Sequence, residues 1–575
     1  MPGGMRFDPR HRAAAWDELR DGRVDVLVVG GGVTGAGAAL DAVTRGLSVA
    51  LVEARDWAAG TSSRSSKLFH GGLRYLEQLN FSLVREALAE RELMLTRIAP
   101  HLVKPVPFLY PLHHHGWERG YVGAGLLLYD RIGGARSLPR SRHYTRHGAL
   151  RLCPALRPDA LVGAVGYHDA QSDDARHTLT VVRTAARYGA LTRSSTEVVD
   201  LLLEGDRVVG ARLRDVETGA QAAVRARVVV NATGVWTDDV QRMAGGRGRF
   251  RVRASKGVHI VVPRDRIASE TGLILRTATS VLFVIPWGNR WVIGTTDTDW
   301  NLDRAHPAAT RTDVDYLLDR VNAVLTIQLT REDVQGVYAG LRPLLAGESE
   351  VTSQLSREHA VARPQPGLIS IAGGKFTTYR VMAADAIDAA AEDLGRPVQP
   401  SVTADVPLVG ADGYHALVNQ VAELGQRAGL APWRIRHLLD RYGSLLSEVL
   451  APAEDDPRLL EPMPGAGDYL RAEIRYGATH EGALHLDDLL ARRTRLSIEY
   501  GHRGVESARA AAELVADVLG WDAAQVEAEV ETYTRRVEAE RASQEMATDE
   551  EADEARRAAP DSRARLVGPW RGAGG

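Results

Sequence analysis

An apolar run from Val24 to Val29 (VDVLVV) leads directly into the glycine-rich turn Gly30 to Gly35 (GGGVTG). A continuous run rich in β-branched residues is typical of a strand that is buried on both faces of a parallel sheet. A helical stretch follows up to Arg45, and a second apolar run, Leu47 to Val52, completes a strand–helix–strand unit. This unit is the strongest constraint on the fold, because its turn satisfies G-x-G-x-x-G in the context that dinucleotide binding requires.

The residues of this turn have separate expected roles. Gly30 makes the tight turn, Gly32 lets a pyrophosphate approach the helix N-terminus, and Gly35 lets the helix pack on the strand. Glu53, at the end of the second apolar run, would accept hydrogen bonds from a ribose hydroxyl. A glycine turn in an unrelated α/β domain is the alternative. The preceding strand, the following helix and the position of Glu53 together favour a dinucleotide site.

Two features favour FAD over NAD, although both cofactors use this kind of turn. The turn lies near the N-terminus of a long chain, and a strand with a glycine turn, Gly367 to Gly374, indicates that the same domain resumes far downstream. The segment Val228 to Trp236 (VVVNATGVW) reads as a strand that ends in Ala-Thr-Gly, a recurrent second contact to a flavin dinucleotide. We therefore expect FAD, with Gly234 at this second contact.

The chain is too long for one core, and its patterns indicate three domains. Period-two alternation between Arg251 and Leu344 predicts a second, antiparallel sheet, and the region after Pro397 is helical. The predicted fold class is α/β, with a Rossmann-like FAD-binding domain that is discontinuous in sequence, a β-sheet-based substrate domain and a C-terminal, mostly α-helical cap domain. The predicted boundaries are 1–100, 155–250 and 355–396 for the FAD-binding domain, 101–154 and 251–354 for the substrate-binding domain, 397–541 for the helical domain, and 542–575 for a disordered tail.

Composition narrows the class of protein. The 71 Lys and Arg residues against 74 Asp and Glu leave a net charge of −3, which argues against a nucleic-acid-binding protein. The single cysteine, Cys153, excludes an internal disulfide. No apolar run approaches the roughly 18 residues of a membrane-spanning helix, and the polar N-terminus lacks the apolar core of a signal peptide. We therefore expect a cytoplasmic protein.

Lysine is unusually rare in this chain. Only four of the 71 basic residues are lysines, namely Lys67, Lys104, Lys256 and Lys375. Ammonium is a compact point charge and guanidinium a planar fork, so the lysines that remain should lie where arginine would not serve. Three of the four fall within the motifs described next, and we predict that they mark a functional site.

The segment Thr61 to Tyr75 (TSSRSSKLFHGGLRY) combines hydroxyl groups, glycines and cations with interleaved apolar residues. A solvated linker would also be rich in serine but would carry fewer apolar residues, so we expect a loop that lines a site. Together with GGGVTGAG upstream, this segment resembles the FAD-dependent, quinone-linked glycerol-3-phosphate dehydrogenase family. Later segments agree with the family in order and spacing: Ser255 to Pro263 (SKGVHIVVP), Ile285 to Asp299 (IPWGNRWVIGTTDTD), Ala339 to Leu345 (AGLRPLL), Leu355 to His359 (LSREH) and Gly373 to Arg380 (GGKFTTYR).

The resemblance implies an oxidoreductase that converts sn-glycerol 3-phosphate to dihydroxyacetone phosphate. In the family the C2 hydrogen leaves as hydride to N5 of FAD, and the electrons pass on to a quinone. A homodimer and a peripheral contact with the inner face of the cell membrane are further expectations. No nucleic acid is expected as a partner. No metal is expected either, because the adjacent His113, His114 and His115 cannot converge on one ion.

This reaction needs a phosphate clamp, a base near C2 and a group that stabilises the developing oxyanion. The resemblance implies His259 as the base and Arg342 as the group that polarises the C2 oxygen. It implies a phosphate clamp of Arg74, Tyr75, Arg357 and Lys375, and flavin contacts from Ser62, Ser66, Lys67, Asp297 and Thr377. A core histidine, a structural ion pair and a turn residue are the alternatives for His259, Arg342 and Asp297, respectively.

Three other functions stay open from the sequence. An oxidase on the same fold would use O2 and produce H2O2, and oxygen access is a cavity property that the sequence does not reveal. An oxidase of amino acids or other small acids would need a carboxylate clamp, and the rich set of cations argues instead for phosphate. A flavin-binding module without turnover is opposed by the joint presence of His259, Arg342 and Lys375.

One stretch bears on membrane contact. Trp117, Tyr121 and the leucines from Leu126 to Leu128 lie among Arg119, Arg131 and Arg136. Such an aromatic, apolar and basic stretch is compatible with a bilayer interface. We favour internal packing for it.

Overall fold

The structure, a computed structural model, describes residues 5–72, 80–114, 116–133, 137–245, 250–277, 281–346 and 359–563. Its first sheet contains the strand that precedes the glycine turn. The described strands of this sheet run in the order His359–Gln365, Leu368–Gly373, Gln221–Asn231, Arg23–Val29, Val49–Val52 and Leu191–Arg193, and Thr196–Glu204 and Arg207–Asp215 extend it beside Gln221–Asn231.

Strand Arg23–Val29 is buried on both faces, as its apolar run predicts. It pairs in parallel on both sides, with Val26 opposite Val228 on one neighbour and opposite Val49 on the other. Val26 and Val28 pack into the core beneath the helices, whereas Leu27 packs into a separate core on the opposite face. The chain therefore emerges from the centre of the sheet at the glycine turn, which is where open α/β sheets bind their ligands.

Helices cover the first sheet and fix the direction of the turn. Val33–Thr44 starts directly at the glycine turn and packs between Asp174–Arg187 and Tyr379–Asp393. This packing is tight, because a Cβ added at Gly37 would lie 3.0 Å from the Cβ of Ala383. Apart from short 3-10 turns, the remaining helices that the structure describes before residue 400 are Pro9–Leu19, Phe81–Leu93 with its continuation Met94–Ile98, Trp117–Gly133, Arg146–Leu152, Thr237–Met243 and Arg311–Asn322.

The second sheet carries the segments that resemble the substrate half of the family. Its longest strand, Val252–Pro263, pairs antiparallel with Arg290–Gly294 and with Gly336–Leu345. The other described strands of this sheet are Leu68–Phe69, Lys104–Leu112, Arg142–Thr145, Gly163–Gln171, Gly272–Arg276, Val281–Trp287 and Thr298–Asp299.

Helices dominate the chain after Pro400. They build two apolar cores of their own, one centred on Leu438 and Leu439 and the other on Leu489 and Leu490. The described elements of this part are Tyr414–Val418, Val421–Ala428, Pro432–Tyr442, Leu446–Leu450, the small strand pair Pro462–Met463 and Ala466–Leu470, and then Arg471–Thr479, Asp488–Arg493, Leu496–Glu499, Val505–Leu519, Ala523–Ser543 and Asp549–Arg557.

One predicted boundary places a strand in the wrong domain. The sequence pattern predicts residues 155–250 in the FAD-binding domain, but Gly163–Gln171 pairs with Lys104–Leu112 along its whole length and belongs to the second sheet. Leu68–Phe69, from the predicted site loop, also pairs with it. The chain thus crosses between the sheets more often than its strand pattern reveals, since that pattern does not specify strand partners.

The predicted disorder of 542–575 is wrong as far as Arg563. Thr548 and Glu551 form a capping box that starts the helix Asp549–Arg557. Ala552 on this helix is fully buried, and Arg563 forms an ion pair with Asp488 at 2.9 Å. The charges in this segment are compensated by the body of the protein, which composition alone could not show. Residues 564–575 lie outside the described part of the chain.

Apolar side chains of the helix Trp117–Gly133 pack inside the protein. Leu126 is fully buried, and Tyr129 is buried and donates a hydrogen bond to Asp169 at 2.7 Å. Tyr121 lies on the exposed side of the helix. Among the helices that the structure describes, none is long and apolar enough to span a membrane.

Candidate active site

A cavity of about 160 Å³ opens where the central strands of the first sheet end. Its walls come mainly from the glycine turn, the Glu53 loop, the Ala-Thr-Gly turn and the glycine turn that follows Leu368–Gly373, with further residues from the site loop and from the strand Thr196–Glu204. The lining residues include Gly30, Gly32, Glu53, Arg55, Ser62, Thr196, Gly234, Trp236, Gly373, Lys375 and Phe376. Five of the predicted cofactor contacts, namely Gly30, Gly32, Glu53, Ser62 and Gly234, thus line one cavity.

The glycine turn is shaped by close backbone contacts. Gly30 has a φ of +111°, and a Cβ there would lie 2.7 Å from the carbonyl oxygen of Ala232. A Cβ at Gly35 would lie 1.9 Å from the carbonyl oxygen of Gly30, so a larger residue would push the helix off the strand. Gly32 precedes the first residue of the helix, and Val33 and Thr34 of its first turn line the cavity. The backbone N–H groups of a first helical turn have no partner within the helix.

Two side chains complete the cradle. Ser62 accepts a hydrogen bond from the backbone N–H of Val33 at 2.9 Å, so its hydroxyl lies at the helix N-terminus. The Glu53 carboxylate accepts hydrogen bonds from the backbone N–H groups of Gly31 at 2.6 Å and Arg55 at 2.7 Å. Burial raises the pKa of Glu53, while these two backbone hydrogen bonds favour its charged form.

These residues fit a dinucleotide. The space above Gly32 would be filled by a Cβ, which would contact the Ser62 hydroxyl at 3.2 Å, and the helix N-terminus provides donors for a pyrophosphate. Glu53 provides acceptors for a ribose, and it follows the glycine turn at the sequence spacing that is usual for the ribose-binding acidic residue. The donor set therefore suits FAD, with the adenosine end near Glu53 and Thr196.

A second cavity, of about 170 Å³, adjoins the first. The two share Thr61, Ser65, Pro343, Gly374, Lys375 and Phe376 as lining residues. The second cavity lies between the site loop and the second sheet, and its remaining walls include Arg64, Ser66, His70, Gly257, His259, Arg342 and Thr377. A small substrate in this cavity would lie beside a ring bound at the shared wall.

His259 is held firmly in this second cavity. Its Nε2 lies 2.9 Å from the Ser66 hydroxyl, and its ring stacks on Tyr338 at 4.7 Å with an interplanar angle of 9°. Gly294 faces it in the sheet, and a Cβ there would lie only 2.1 Å from the His259 ring. Nδ1 has no hydrogen-bond partner among the described residues. Gly294 on the facing strand and the ring of Tyr338 thus hold the imidazole in one orientation.

Burial is the main reason why the pKa of His259 lies well below its usual value, and Arg342 and Lys67 lower it further. The imidazole is therefore neutral at physiological pH and able to accept a proton. The same lowering makes it a weak base, so the proton that it accepts must come from a group whose own pKa is depressed.

Arg342 supplies the positive charge that would lower the pKa of such a proton donor. Its guanidinium donates hydrogen bonds to the Thr295 hydroxyl and the Thr296 carbonyl, both at 3.2 Å. It also lies 3.5 Å from the carboxylate of Asp297. A Cβ at Gly257 would come within 2.6 Å of the guanidinium, so this glycine makes room for it beside His259.

Two of the predicted phosphate and flavin contacts meet at the shared wall. Lys375 lines both cavities, and Thr377 lines the second one, where its hydroxyl accepts a hydrogen bond from the backbone N–H of His70 at 3.1 Å. The other members of the predicted clamp, Arg74, Tyr75 and Arg357, lie outside the described residues.

Three predicted flavin contacts have other places in the structure. Lys67 is 1% exposed, forms an ion pair with Asp174 at 2.8 Å and lines neither cavity. Asp297 pairs with Ser255 and Arg342 and lines neither cavity. Ser66 lies in the second cavity, against His259 rather than in the dinucleotide cradle. Lys67 and Asp297 are not flavin contacts for the same reason, since each forms an ion pair with a side chain of opposite charge.

Sequence reasoning missed two residues of the second cavity. His70 and Arg64 both line it, and both belong to the loop that was recognised as a site. Their spacing from Ser66 was visible, but the direction of each side chain depends on how Leu68–Phe69 pairs with Gly163–Gln171. That pairing has no local signal in the sequence.

The chain matches two protein families in succession. Residues 25–380 match the family described as FAD dependent oxidoreductase, and residues 401–526 match the C-terminal domain of alpha-glycerophosphate oxidase. A protein of Mycobacterium bovis named glycerol-3-phosphate dehydrogenase 2 is 64% identical over 561 residues, which cover 98% of this chain and 96% of that protein. The human mitochondrial glycerol-3-phosphate dehydrogenase is 39% identical over 535 residues, which cover 88% of this chain and 72% of that protein.

A solved structure agrees with these relatives. The glycerol-3-phosphate dehydrogenase from Bacillus halodurans, crystallised in complex with FAD, is 28% identical and superimposes with a TM-score of 0.77. The match covers 92% of this chain and 98% of that structure.

Proposed function

The chain belongs to the FAD-dependent oxidoreductase family, and on this premise we propose that it oxidises sn-glycerol 3-phosphate to dihydroxyacetone phosphate and passes the electrons to a quinone. The observation that carries this proposal is the shared wall, where Lys375 lines both the dinucleotide cavity and the cavity of His259 and Arg342. Relatives that cover nearly the whole chain are named glycerol-3-phosphate dehydrogenases.

The protein groups can be assigned to the steps of this oxidation. Lys375 and Arg342 are cations on the same cavity and would receive the phosphate and the C2 oxygen, respectively. We further assign Arg74, Tyr75 and Arg357 to the phosphate clamp. Bound FAD would supply the two-electron acceptor for the hydrogen that leaves C2. The protein would hold the substrate at the shared wall, where the cofactor cavity and the substrate cavity meet.

His259 would take the remaining proton. The C2 hydroxyl must lose its proton as C2 loses hydrogen and two electrons, and Arg342 lowers the pKa of that hydroxyl by stabilising the oxyanion. Nε2 already lies in hydrogen-bond contact with the Ser66 hydroxyl. The serine would therefore hold the imidazole in place beside the substrate while the ring takes up the proton.

The choice of acceptor is tested by reoxidation. After anaerobic reduction of the holoprotein with glycerol 3-phosphate, a soluble quinone analogue should restore the yellow oxidised flavin within the turnover time. Oxygen should do so much more slowly and without peroxide in proportion to substrate. Fast reoxidation by O2 with stoichiometric H2O2 would instead identify an oxidase. Glycerol, which lacks the phosphate, is the control substrate and should leave the flavin oxidised.

The proposal also covers where the protein is located and how it assembles. We place the protein in the cytoplasm, in peripheral contact with the inner face of the membrane, because quinones dissolve in the bilayer. We propose a homodimer as the assembly. Flotation with anionic lipid vesicles tests the contact, and light scattering after size exclusion tests the assembly.

A further inference from the structure

A third cavity, of about 80 Å³, lies behind the substrate cavity and has no part in the chemistry above. We call it the arginine cavity, because five guanidinium groups are among its described lining residues. They come from the site loop, from the segment around Leu490 and from the last two helices. The five are Arg64, Arg492, Arg495, Arg536 and Arg556.

Negative charge at this cavity is scarce. Glu540 is the one carboxylate among the lining residues that the structure describes. It lies 2.9 Å from Arg536 and 3.6 Å from Arg556, so two guanidinium groups share one carboxylate. His306 also lines the cavity, and burial lowers its pKa to about 4, so its ring adds no charge there. Its Nε2 lies 3.1 Å from the Asp561 carboxylate, which is not a lining residue.

Three of the five arginines are compensated from behind, since Arg536 also pairs with Asp487. Arg492 pairs with Asp56 and Asp488, both at 2.6 Å, and Arg495 pairs with Asp173 at 2.7 Å. None of these carboxylates lines the cavity. On the side away from the cavity, the charges of these arginines are thus nearly balanced by carboxylates. The excess positive charge faces the cavity.

Arg64 contributes most of this excess. Its guanidinium donates to the carbonyl oxygen of Ala305 at 3.1 Å and forms no ion pair with a described residue. Burial and the nearby Arg492 and Arg536 lower its pKa to about 9. A partly buried guanidinium without a carboxylate partner loses hydration that no opposite charge replaces, and a bound anion would offset that cost.

We propose that the arginine cavity is a second anion site, which binds a phosphate group separate from the substrate in the active site. Guanidinium forks match phosphate oxygens in pairs. A space of about 80 Å³ exceeds the ~10–15 Å³ that one water requires, and it suits a tetrahedral oxyanion. The phosphate group belongs either to inorganic phosphate or to a small phosphate ester.

The position of Arg64 links this site to the substrate cavity. A Cβ at Gly340 would lie 2.4 Å from the Arg64 carbonyl oxygen, so the Arg64 backbone packs directly on the strand that carries Arg342. Three residues earlier, Thr61 donates a hydrogen bond to the Leu341 carbonyl at 2.6 Å. An anion on the Arg64 side chain would therefore hold the loop that lines both other cavities.

Calorimetric titration of the holoenzyme with inorganic phosphate, at constant ionic strength, tests the proposal. The native protein should bind two equivalents per chain, one in each site. Arg342→Gln with Lys375→Gln should weaken the active-site equivalent at least tenfold and keep the other. Arg536→Gln with Arg556→Gln should weaken the second equivalent at least tenfold, while FAD content and glycerol 3-phosphate turnover stay near native. Arg557→Gln, an exposed neighbour on the same helix, should keep both.

Two results would overturn the proposal. One is that the Arg342→Gln, Lys375→Gln protein binds no phosphate, and the other is that the Arg536→Gln, Arg556→Gln protein still binds two equivalents. If the latter pair fails to fold, Arg536→Lys with Arg556→Lys retains the charge but not the forks, and it should still weaken the second equivalent. Titrating the active-site variant with glycerol 3-phosphate identifies the source, since tighter binding than phosphate assigns the site to an ester. Flavin reduction by the substrate is measured separately, so a failure of the proposed reaction can be distinguished from a failure of the proposed anion site.

Discussion

The imidazole of His259 lies between a serine hydroxyl and a tyrosine face, and only 2% of the residue is exposed. Among the charged groups around it, Arg342 and Lys67 both oppose its protonation. A base in this setting is ready at neutral pH without having to lose a proton first. Its weakness is offset by the cation that faces the same substrate oxygen.

The pH dependence of flavin reduction follows from the low pKa of His259. The active form is the neutral one, which exists above the pKa, so acid inactivation must lie below the usual histidine value of 6.5. At saturating glycerol 3-phosphate, we expect the anaerobic reduction rate constant to stay level down to about pH 6.5 and to fall only below it. Stopped-flow absorbance measures this, and an acid limb centred above pH 6.5 would contradict it.

The lysines show how far composition can guide a prediction. Lys375 lines both cavities, as its motif predicts. Lys67 and Lys256 instead form buried ion pairs with Asp174 and Asp313, and each ammonium also lies over an aromatic ring. Lysine scarcity therefore marks positions that need a compact buried charge. Only one of them is in the site, because the carboxylate partners come from distant segments.

The helix that follows the glycine turn can form in its place only because glycines near its start have no side chains. The helix can start at Gly32 and still reach the strand because Gly35 brings the backbones together. The strand, the turn and the helix were all predictable, since each has a local pattern. The neighbours of the turn, at Ser62 and at Gly234, were predictable as motifs, but their contact with the turn is visible only in the fold.

Gly35→Ala should abolish FAD retention. Its Cβ would lie 1.9 Å from the Gly30 carbonyl, so either the turn or the helix must move and the cradle is lost. Gly125→Ala is the matched control, because a Cβ at this helical glycine meets nothing within 4 Å and alanine favours the helix by about 0.8–1 kcal/mol. The ratio of flavin to protein absorbance measures the outcome, and full FAD content in the Gly35→Ala protein would refute this view of the turn.

In the whole molecule, the helical domain is joined to the first sheet through buried charges. Arg493 pairs with Asp56 at 2.7 Å, and Arg492 pairs with the same carboxylate at 2.6 Å. His485 lies between Glu529 at 2.7 Å and Glu217 at 3.3 Å, the latter from the turn between two strands of the first sheet. The sequence could not reveal these links, because each one joins residues more than forty positions apart.

Stability should depend on pH through His485. Against the effect of burial, its two glutamates raise its pKa to about 9. The stabilisation is therefore complete below about pH 6.5, where the unfolded histidine is also charged, and it is lost as pH rises through about 9. The Tm difference between the native protein and His485→Gln should shrink over this range. The exposed His415→Gln should follow the native profile, and a constant difference for His485→Gln would contradict the argument.

The central claim is that glycerol 3-phosphate is oxidised where the dinucleotide cavity meets the cavity of His259 and Arg342. Its most direct test is the rate of flavin bleaching when the FAD-bound protein is mixed anaerobically with glycerol 3-phosphate. The native protein should lose its yellow colour in one turnover, and His259→Ala should retain FAD but bleach ~10²–10⁴-fold more slowly. A native protein with full FAD content that does not bleach, or a His259→Ala protein that bleaches within severalfold of the native rate, would contradict the claim.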